Sequence, residues 1–250
     1  MLVLDKKILT FKVKEIHFSD YPYDIGGCDA LSFHFCRNKI TAPGFTCTER
    51  LTSVIDLTQD LDTIWRKLDK KSSRYAINRA QRDGIEFKIN QNYEEFYHLN
   101  KSFMQQKGIM PLLGIGATSI KEMKRYGTLF ISEYKGEVLS GHLYLEDENN
   151  LKLWLSASKR LDVDREKAIL IGNANRLLHW EAIKYAKEKG IEEFDMGGLW
   201  SDEEAKANEM KRNINFFKQS FGGKTTTYYD YQKIYSPLYK RGSHLYRILR

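Results

Sequence analysis

The chain has 250 residues and a net charge of +7, with 42% hydrophobic and 13% aromatic residues. This length holds one large domain with room for a small appendage, and the apolar content excludes a disordered chain. No apolar run approaches the ~20 residues that span a bilayer, and charges at residues 5–7 interrupt the N-terminal apolar stretch, so we expect a cytoplasmic protein.

The three cysteines, Cys28, Cys36 and Cys47, form no C-x-x-C pair. We expect free, buried thiols, which are usual outside oxidising compartments. His34 and Cys36 would share one face of a strand, which leaves a metal site with another cysteine conceivable. The spacing is loose, and we therefore predict no metal site.

Residues 1–50 are predicted to form a small β-rich segment, because short alternating runs are separated by proline and glycine turns. Strands are expected at 8–18 and 31–35, and another short strand at 54–57. No residue in the first fifty indicates catalysis.

A single long helix is predicted from Thr58, its N-cap, to Gly84, because apolar residues recur along one of its faces. Bases cover its other faces between positions 66 and 82, where Asp69 is the one acid: Arg66, Lys67, Lys70, Lys71, Arg74, Arg79 and Arg82. The tail after Tyr231 also carries bases and no acid: Lys233, Lys240, Arg241, Arg247 and Arg250. This concentration indicates a polyanionic partner, with a solvated charged face as the alternative.

From residue 85 the predicted order is β-α-α-β-β-β-α-β-α-β, with a loop around Pro111 between the first two helices. The predicted strands cover 85–89, 129–134, 137–145, 151–156, 191–196 and 225–231, and the predicted helices cover 93–107, 119–126, 165–189 and 203–221. A doubly wound nucleotide fold is excluded, since no G-x-G-x-x-G follows a strand.

Three meandering strands followed by α-β-α-β resemble the GNAT acyltransferase fold, in which two neighbouring parallel strands separate and the donor lies between them. Here those strands would end at Ser156 and Asp195. We therefore predict an α+β fold with a mixed sheet. Residues 51–250 would form a GNAT-like domain, and residues 1–50 would be an N-terminal appendage.

Three segments resemble the FemAB-type peptidyltransferases, which attach amino acids from aminoacyl-tRNA to peptidoglycan precursors. The segments are 65–85, 179–198 and 217–223, and the last matches the closing F-K-x-x-F-G signature of the family. The resemblance covers about residues 54–235. Typical members carry two GNAT domains, so residues 1–50 would be a remnant of the first. A second copy of the chain could supply the missing domain, and a homodimer stays open.

The resemblance implies that Lys218, in the F-K-x-x-F-G match, is a cation that stabilises the transition state of acyl transfer. The alternative is an ordinary solvated lysine. Asp195 could orient or deprotonate the amine, or cap the turn that follows it. The glycines Gly197 and Gly198 would permit close approach of a ligand.

Further candidates lie on the meander and on the basic helix. Ser156 and Ser158 would hold the amide-like portion of the donor, with simple turn chemistry as the alternative. His142 and Tyr144 share one face of the middle strand and could act as base or acid, or be satisfied core groups. Phosphate contacts are expected from the basic helix: Lys70, Lys71 and Arg74.

We expect no resident cofactor, and the donor substrate is either aminoacyl-tRNA or acyl-CoA. Enzymes that use CoA usually bind its pyrophosphate with a glycine-containing loop before the long helix. The corresponding residues, 160–165, contain no glycine and two acids, which favours aminoacyl-tRNA. The predicted acceptor is an amine of a cell-envelope precursor or related compound. A CoA-dependent N-acyltransferase and a non-catalytic tRNA-binding module stay open.

Overall fold

The computed structural model of the protein describes residues 1–108 and 118–248, with residues 162 and 243–248 described by their backbone alone. The loop predicted around Pro111 lies outside the described residues. Two compact units are present. The first contains residues 1–52 and 226–248, and the second contains residues 53–108 and 118–225. The assignment of 1–50 and 51–250 as separate domains stays a prediction.

The first unit is built on strands β1 (Leu2–Ile8), β2 (Phe11–His17) and β3 (Ala30–Cys36), together with most of the last strand, β10 (Lys224–Ile234). β1 and β2 are antiparallel, β2 and β3 are parallel, and β3 and β10 are antiparallel. A small buried cluster of apolar side chains lies on these strands: Ile16, Leu31, Phe33, Cys36 and Tyr231. Helix α8 (Pro237–Ile248) follows β10.

The second unit contains a mixed sheet whose strands lie in the order β4-β9-β8-β7-β6-β5. The chain enters it along β4 (Thr46–Asp56). Its remaining strands are β5 (Glu86–Ile89), β6 (Gly127–Tyr134), β7 (Glu137–Glu146), β8 (Asn150–Ser158) and β9 (Glu193–Gly198). Strands β5 to β8 pair antiparallel, as the tight turns of the meander predict. β8 and β9 pair in parallel, because the long helix α5 (Arg165–Glu188) connects them.

Helices cover both faces of this sheet. The remaining helices are α1 (Leu61–Lys67), α2 (Tyr75–Arg82), α3 (Tyr93–Gln106), α4 (Ile120–Tyr126), α6 (Asp202–Ala207) and α7 (Glu209–Gln219). Alternate strand residues enter two cores: Phe130 packs with α2 and α5, whereas Leu129 and Ile131 pack with α3 and α4. This alternation is the period-two pattern of a sheet buried on both sides. The described helices include none that could cross a membrane.

Several predicted boundaries are wrong. The single helix predicted over 58–84 is broken into α1, a π-helical turn at Lys70–Arg74, and α2. Asp60, not Thr58, caps α1, and Asp69 caps the π-helical turn by accepting the N–H of Ser72. The helix predicted over 203–221 is likewise two helices, because the side chain of Asn208 begins a new one at α7.

The three cysteines are free, as predicted. Cys36 is buried among aromatic and aliphatic side chains, and burial raises the pKa of its thiol to about 12. Cys28 is half-buried, and Cys47 is exposed, which corrects the expectation that all three are buried.

Candidate functional site

A gap opens between β8 and β9. Their parallel register covers only Asn150–Lys152 opposite Glu193–Asp195, although β8 continues to Ser158. Where pairing with β9 stops, the β7–β8 register shifts between Leu143 and Tyr144, so that one additional β8 residue, Trp154, is accommodated as a bulge. A bulge bends its strand and redirects the following side chains. The predicted separation of these two strands is confirmed.

The gap contains a cavity of about 1070 Å³, which is large enough for a small-molecule substrate or for the reactive end of a larger one. Residues from β7, β8, α5 and α7 line it, including His142, Ser156, Ser158, His179 and Lys218. Among the described lining residues, Lys107, Arg160, Arg176 and Lys218 are bases and Glu209 is the one acid. The cavity therefore favours a substrate that carries negative charge.

Lys218 lies in the last turn of α7 and its side chain reaches the cavity. Its Nζ donates a hydrogen bond to the carbonyl oxygen of Gly198, at 2.6 Å. Burial lowers the pKa of Lys218 to about 8; the charge of Lys152 adds to this and that of Asp195 opposes it. The side chain is thus mostly protonated at neutral pH, although its pKa is only slightly higher than that pH.

Gly197 turns the backbone between Asp195 and the carbonyl group that Lys218 contacts. Its φ is +87°, a conformation that other residues rarely adopt, and a Cβ there would lie 3.4 Å from the Nζ of Lys218. The backbone N–H of Gly197 donates to Oδ1 of Asp195 at 2.7 Å. Gly198 therefore holds the lysine through its carbonyl oxygen, and neither glycine is among the residues that line the cavity.

Asp195 is buried in the middle of β9 and forms an ion pair with Lys152 of β8. Its other oxygen accepts the N–H of Gly197. Both carboxylate oxygens are thus engaged at the last position where β8 and β9 pair. The ion pair joins β8 and β9 where the gap begins, and the bond to Gly197 matches the turn-capping alternative. A role for Asp195 as a base stays a prediction.

A buried chain of polar side chains lies beside the cavity on β7 and α5. The hydroxyl of Tyr144 is 2.9 Å from Nδ1 of His179 and 3.3 Å from Nδ1 of His142. Nε2 of His142 is 3.0 Å from Oδ1 of Asn175, whose amide nitrogen donates to the carbonyl oxygen of Ile171. His142 and Tyr144 share a face, as predicted.

One arrangement of protons satisfies this whole chain. Because Asn175 donates to Ile171, its Oδ1 must accept, so His142 carries its proton on Nε2 and accepts on Nδ1. Tyr144 then donates to His142 and accepts from Nδ1–H of His179. The unprotonated nitrogen of His179 is therefore Nε2, on a ring that lines the cavity.

Burial keeps this chain uncharged. It lowers the pKa of His142 to about 4 and that of His179 well below its ordinary value, and it raises the pKa of Tyr144 well above 10. Nearby His142, Lys218 and Arg176 add to the lowering at His179. All three groups are neutral at physiological pH and act as hydrogen-bonding groups.

Arg176 of α5 and Arg160, which precedes that helix, both line the cavity. Arg176 donates to the carbonyl oxygen of Gly172 and to Oγ of Ser72, while its guanidinium lies 4.8 Å from the centre of the Phe217 ring. Its Nε is buried and has no hydrogen-bond partner within residues 1–108 and 118–248. Burial lowers the pKa of Arg176, and the positive charge of Arg160 contributes. Two like charges at one cavity are typical of an anion site.

The predicted basic residues lie in the π-helical turn. Lys70 and Lys71 are exposed, and Arg74 is half-buried with a buried Nε that the described residues leave without a hydrogen-bond partner. Ser72 of the same turn contacts Arg176, so this turn adjoins the cavity through one side chain. The exposed side chain of Ser156 and the half-buried one of Ser158 line the cavity directly.

Three relevant residues were missed by the sequence analysis: His179, Arg176 and Lys152. Asn175 and His179 are four apart on α5, a spacing that places both on one helix face. That spacing was a usable signal. Lys152 gave none, because its partner Asp195 is distant in sequence.

A protein-family model, described as an acetyltransferase (GNAT) domain, matches residues 69–207. The chain belongs to the GNAT family. A search of curated proteins finds no match. Among solved structures, FemX superimposes with a TM-score of 0.63 at 14% identity, over 96% of this chain and 85% of FemX.

Two further structures share the GNAT fold at low identity. L-PGS from Bacillus licheniformis has a TM-score of 0.55 and 14% identity, over 87% of this chain and 72% of L-PGS. The C-terminal domain assigned to a lysylphosphatidylglycerol synthetase in Agrobacterium fabrum has a TM-score of 0.56 and 15% identity, over 82% of this chain and 68% of that domain. The predicted acyltransferase fold with a mixed sheet is confirmed.

Proposed function

We propose that the protein transfers an activated aminoacyl group from aminoacyl-tRNA to an amine of a phosphate-bearing acceptor, such as a cell-envelope precursor. The observation that carries this proposal is the cavity between the separated strands β8 and β9, with the Lys218 ammonium at its wall. An activated carbonyl would enter this gap, where unpaired strand edges can bind its amide-like groups.

The reaction balances without a cofactor. The neutral amine attacks the ester carbonyl of the donor, a C–N bond forms, and the negative charge of the intermediate develops on the carbonyl oxygen. Lys218 donates a hydrogen bond to this oxyanion, and a single such donor is worth about 10²–10³ in rate. The C–O bond to the ribose then breaks, and the proton of the amine passes to the leaving oxygen.

His179 supplies an acceptor for the attacking amine. Its Nε2 carries a lone pair when the buried chain through Tyr144 and His142 is satisfied. Because the pKa of His179 is well below the ordinary value, the ring does not keep a proton and instead orients an N–H of the amine. The proton therefore leaves with the ester oxygen.

The N-terminus of α5 supports a donor other than CoA. In this helix Asp164 accepts the N–H of Lys167 at 2.9 Å, so a carboxylate already lies at the end that binds pyrophosphate in CoA enzymes. This carboxylate engages a backbone N–H that a pyrophosphate would otherwise use, whereas the exposed Lys70 and Lys71 favour the phosphates of an RNA.

The basic cavity and two of the structural neighbours support the proposed acceptor class. Arg160 and Arg176 at the cavity wall are suited to a phosphate group on the acceptor. A lysylphosphatidylglycerol synthetase, by its name, joins a lysyl group to a phospholipid, and its assigned C-terminal domain has a similar fold. An aminoacyl donor and a phosphate-bearing acceptor agree with both observations.

Calorimetry distinguishes the donors. Dialysed protein is titrated with a pool of aminoacyl-tRNA, with the same tRNA after deacylation, and with acetyl-CoA. We expect saturable binding of aminoacyl-tRNA and no binding of acetyl-CoA. Tight binding of acetyl-CoA alone would show a CoA-dependent enzyme and sink the aminoacyl proposal.

Substitution of Lys218 tests whether the protein is a catalyst or a binding module. Lys218→Ala is expected to lower the rate of aminoacyl transfer by about 10²-fold or more, with little change in donor binding. The matched control is Lys206→Ala, which removes an exposed lysine of α6. Unchanged transfer in Lys218→Ala would remove the oxyanion role, and binding without transfer in the native protein would identify a tRNA-binding module.

A further inference from the structure

A cluster of three potential metal ligands lies in the first unit, on strands β2 and β3. Glu15 and His17 are on β2, and His34 is on β3. One ligand atom from each of these residues lies within 4.8 Å of the other two. The parallel register explains this, because His17 and His34 are direct partners and Glu15 is two residues earlier on the same face.

His17 is the unusual member of the cluster. It is 5% exposed, and within the described part of the chain neither ring nitrogen has a hydrogen-bond partner. Oε2 of Glu15 lies 3.8 Å from its Nε2, and its ring stacks on that of His34 with the centroids 4.9 Å apart. Buried polar groups almost always have partners, so an imidazole without one indicates a missing ligand.

His34 is held as metal-binding histidines usually are. Its Nδ1 lies 3.6 Å from Oδ2 of Asp230, on strand β10 of the same unit, which leaves Nε2 for a ligand. Asp230 is itself fixed by Arg50, at 3.0 Å, and by the backbone N–H of Phe35, at 3.1 Å. A carboxylate behind a histidine sets the ring orientation and raises its basicity as a ligand.

Glu15 retains coordination capacity beside its ion pair. Lys6 donates to Oε2 at 2.6 Å, and a carboxylate offers about four lone-pair sites on two oxygens. The geometry therefore supplies one carboxylate and two imidazoles, whose ligand atoms lie within 4.8 Å of one another.

We propose that Glu15, His17 and His34 form a binding site for a divalent transition-metal ion, with Zn²⁺ as the best fit. Two imidazoles and one carboxylate suit Zn²⁺, and three protein ligands leave one tetrahedral position for water or another ligand. This departs from the sequence analysis, which predicted no metal site and considered His34 with the cysteines. Cys36 packs in the apolar cluster instead.

Cobalt spectroscopy on the full chain tests this site. The protein is treated with a chelator, dialysed and titrated with Co²⁺, whose visible absorption reports tetrahedral or five-coordinate binding. We expect one equivalent of Co²⁺ to bind and to be displaced by Zn²⁺. Glu15→Gln, His34→Gln and His17→Phe should abolish the absorption, and Asp230→Asn should weaken binding by about 10–100-fold. His98→Gln, which removes an exposed histidine of α3, should change nothing.

Thermal unfolding separates lost binding from lost folding. Zn²⁺ should raise the melting temperature of the native chain and of His98→Gln, but not those of the three ligand variants. His17 is buried, so His17→Phe could fail to fold; Glu15→Gln and His34→Gln change half-buried residues and are sufficient alone. Stoichiometric binding that persists in these two variants, or no binding to the native chain at micromolar Co²⁺, overturns the proposal.

Discussion

Two charged neighbours, Lys152 and Asp195, have opposite effects on the pKa of Lys218. Lys152 and burial both lower the pKa of Lys218, whereas Asp195 raises it. Lys152 and Asp195 neutralise each other in their ion pair, so burial dominates at Lys218. The result is a cation that is less strongly solvated than a surface lysine and is available to a developing oxyanion.

The pH dependence of transfer should follow this lysine. Because Lys218 is required as the ammonium and its pKa is about 8, its contribution to kcat/KM should be constant below that pH and fall tenfold per unit above it. Deprotonation of the attacking amine adds a rise with pH that is common to all variants, so the native rate is divided by the rate of Lys218→Arg at each pH. In Lys218→Arg the guanidinium stays charged, and the fall should disappear or move beyond pH 10 even if the maximum rate is reduced. The measurement is initial rate at subsaturating donor from pH 6 to 10, with donor hydrolysis subtracted. A ratio of native to Lys218→Arg rates that rises through pH 8 would instead identify Lys218 as a base.

The buried ion pair between Lys152 and Asp195 should be costly to break from either side. Lys152→Met or Asp195→Asn alone leaves one buried charge without its counterion, which is expected to cost about 3–5 kcal/mol of unfolding free energy. The double variant removes both charges, so its loss should be clearly smaller than the sum of the single losses. Urea unfolding followed by circular dichroism measures all three. Additive losses would mean that the two side chains act independently.

At the scale of elements, α3 packs on β7 through a glycine. A Cβ on Gly141 would lie 2.4 Å from Cδ2 of the buried Phe96, so Gly141→Ala must displace the aromatic ring or the helix. We expect a loss of about 1–3 kcal/mol in unfolding free energy, the usual cost of overpacking. Phe96→Leu in the same chain should recover part of it by making room.

The matched control for this prediction is Gly26→Ala. A Cβ on Gly26 would have no heavy atom within 4 Å, and the φ of this residue is not positive, so the substitution should be neutral or slightly stabilising. Chemical denaturation of the native chain and the three variants gives the comparison. Equal stabilities for Gly141→Ala and Gly26→Ala would show that the contact between α3 and β7 relaxes without cost.

Local signals predicted most of the elements well. The meander β6–β8 follows from apolar runs with tight turns, and α5 follows from a long apolar period ended by Gly190. The breaks in the two other helices were missed, because an amphipathic pattern continues through Asp69 and Asn208 although their side chains begin new turns. β1 was not predicted, because charges at residues 5–7 interrupt its apolar pattern; in the structure Lys6 and Asp5 pair with Glu15 and Lys14 of β2.

Residues of the candidate site were predictable only where a pattern within a single strand or helix indicated them. His142 and Tyr144 were found from strand alternation, and Lys218 from the F-K-x-x-F-G resemblance. His179 and Arg176 depend on the packing of α5 against the sheet, and Lys152 depends on its register with Asp195. Contacts between distant segments leave no periodic signal in a single sequence.

For the molecule as a whole, charge is the property most relevant to the proposed donor. The net charge is +7, and exposed bases of the π-helical turn adjoin a cavity whose described wall contains mostly bases among its charged residues. A positive field of this kind accelerates encounter with a polyanion and makes binding dependent on salt. It also means that affinity and catalysis can be altered separately, because Lys70 and Lys71 are exposed and do not line the cavity.

The salt dependence of tRNA binding should therefore report Lys70 and Lys71. Each phosphate contact contributes about 0.7–0.9 to the slope of log affinity against log salt, so Lys70→Ala with Lys71→Ala should reduce that slope by about 1.5. Affinity at low salt should fall while the transfer rate at saturating donor is kept, because Lys218 and its neighbours are unchanged. Fluorescence anisotropy with labelled tRNA from 50 to 300 mM salt measures the slope. Lys121→Ala, at an exposed lysine of α4, is the control and should leave it unaltered. An equal slope in the double variant would mean that the RNA binds elsewhere on the protein.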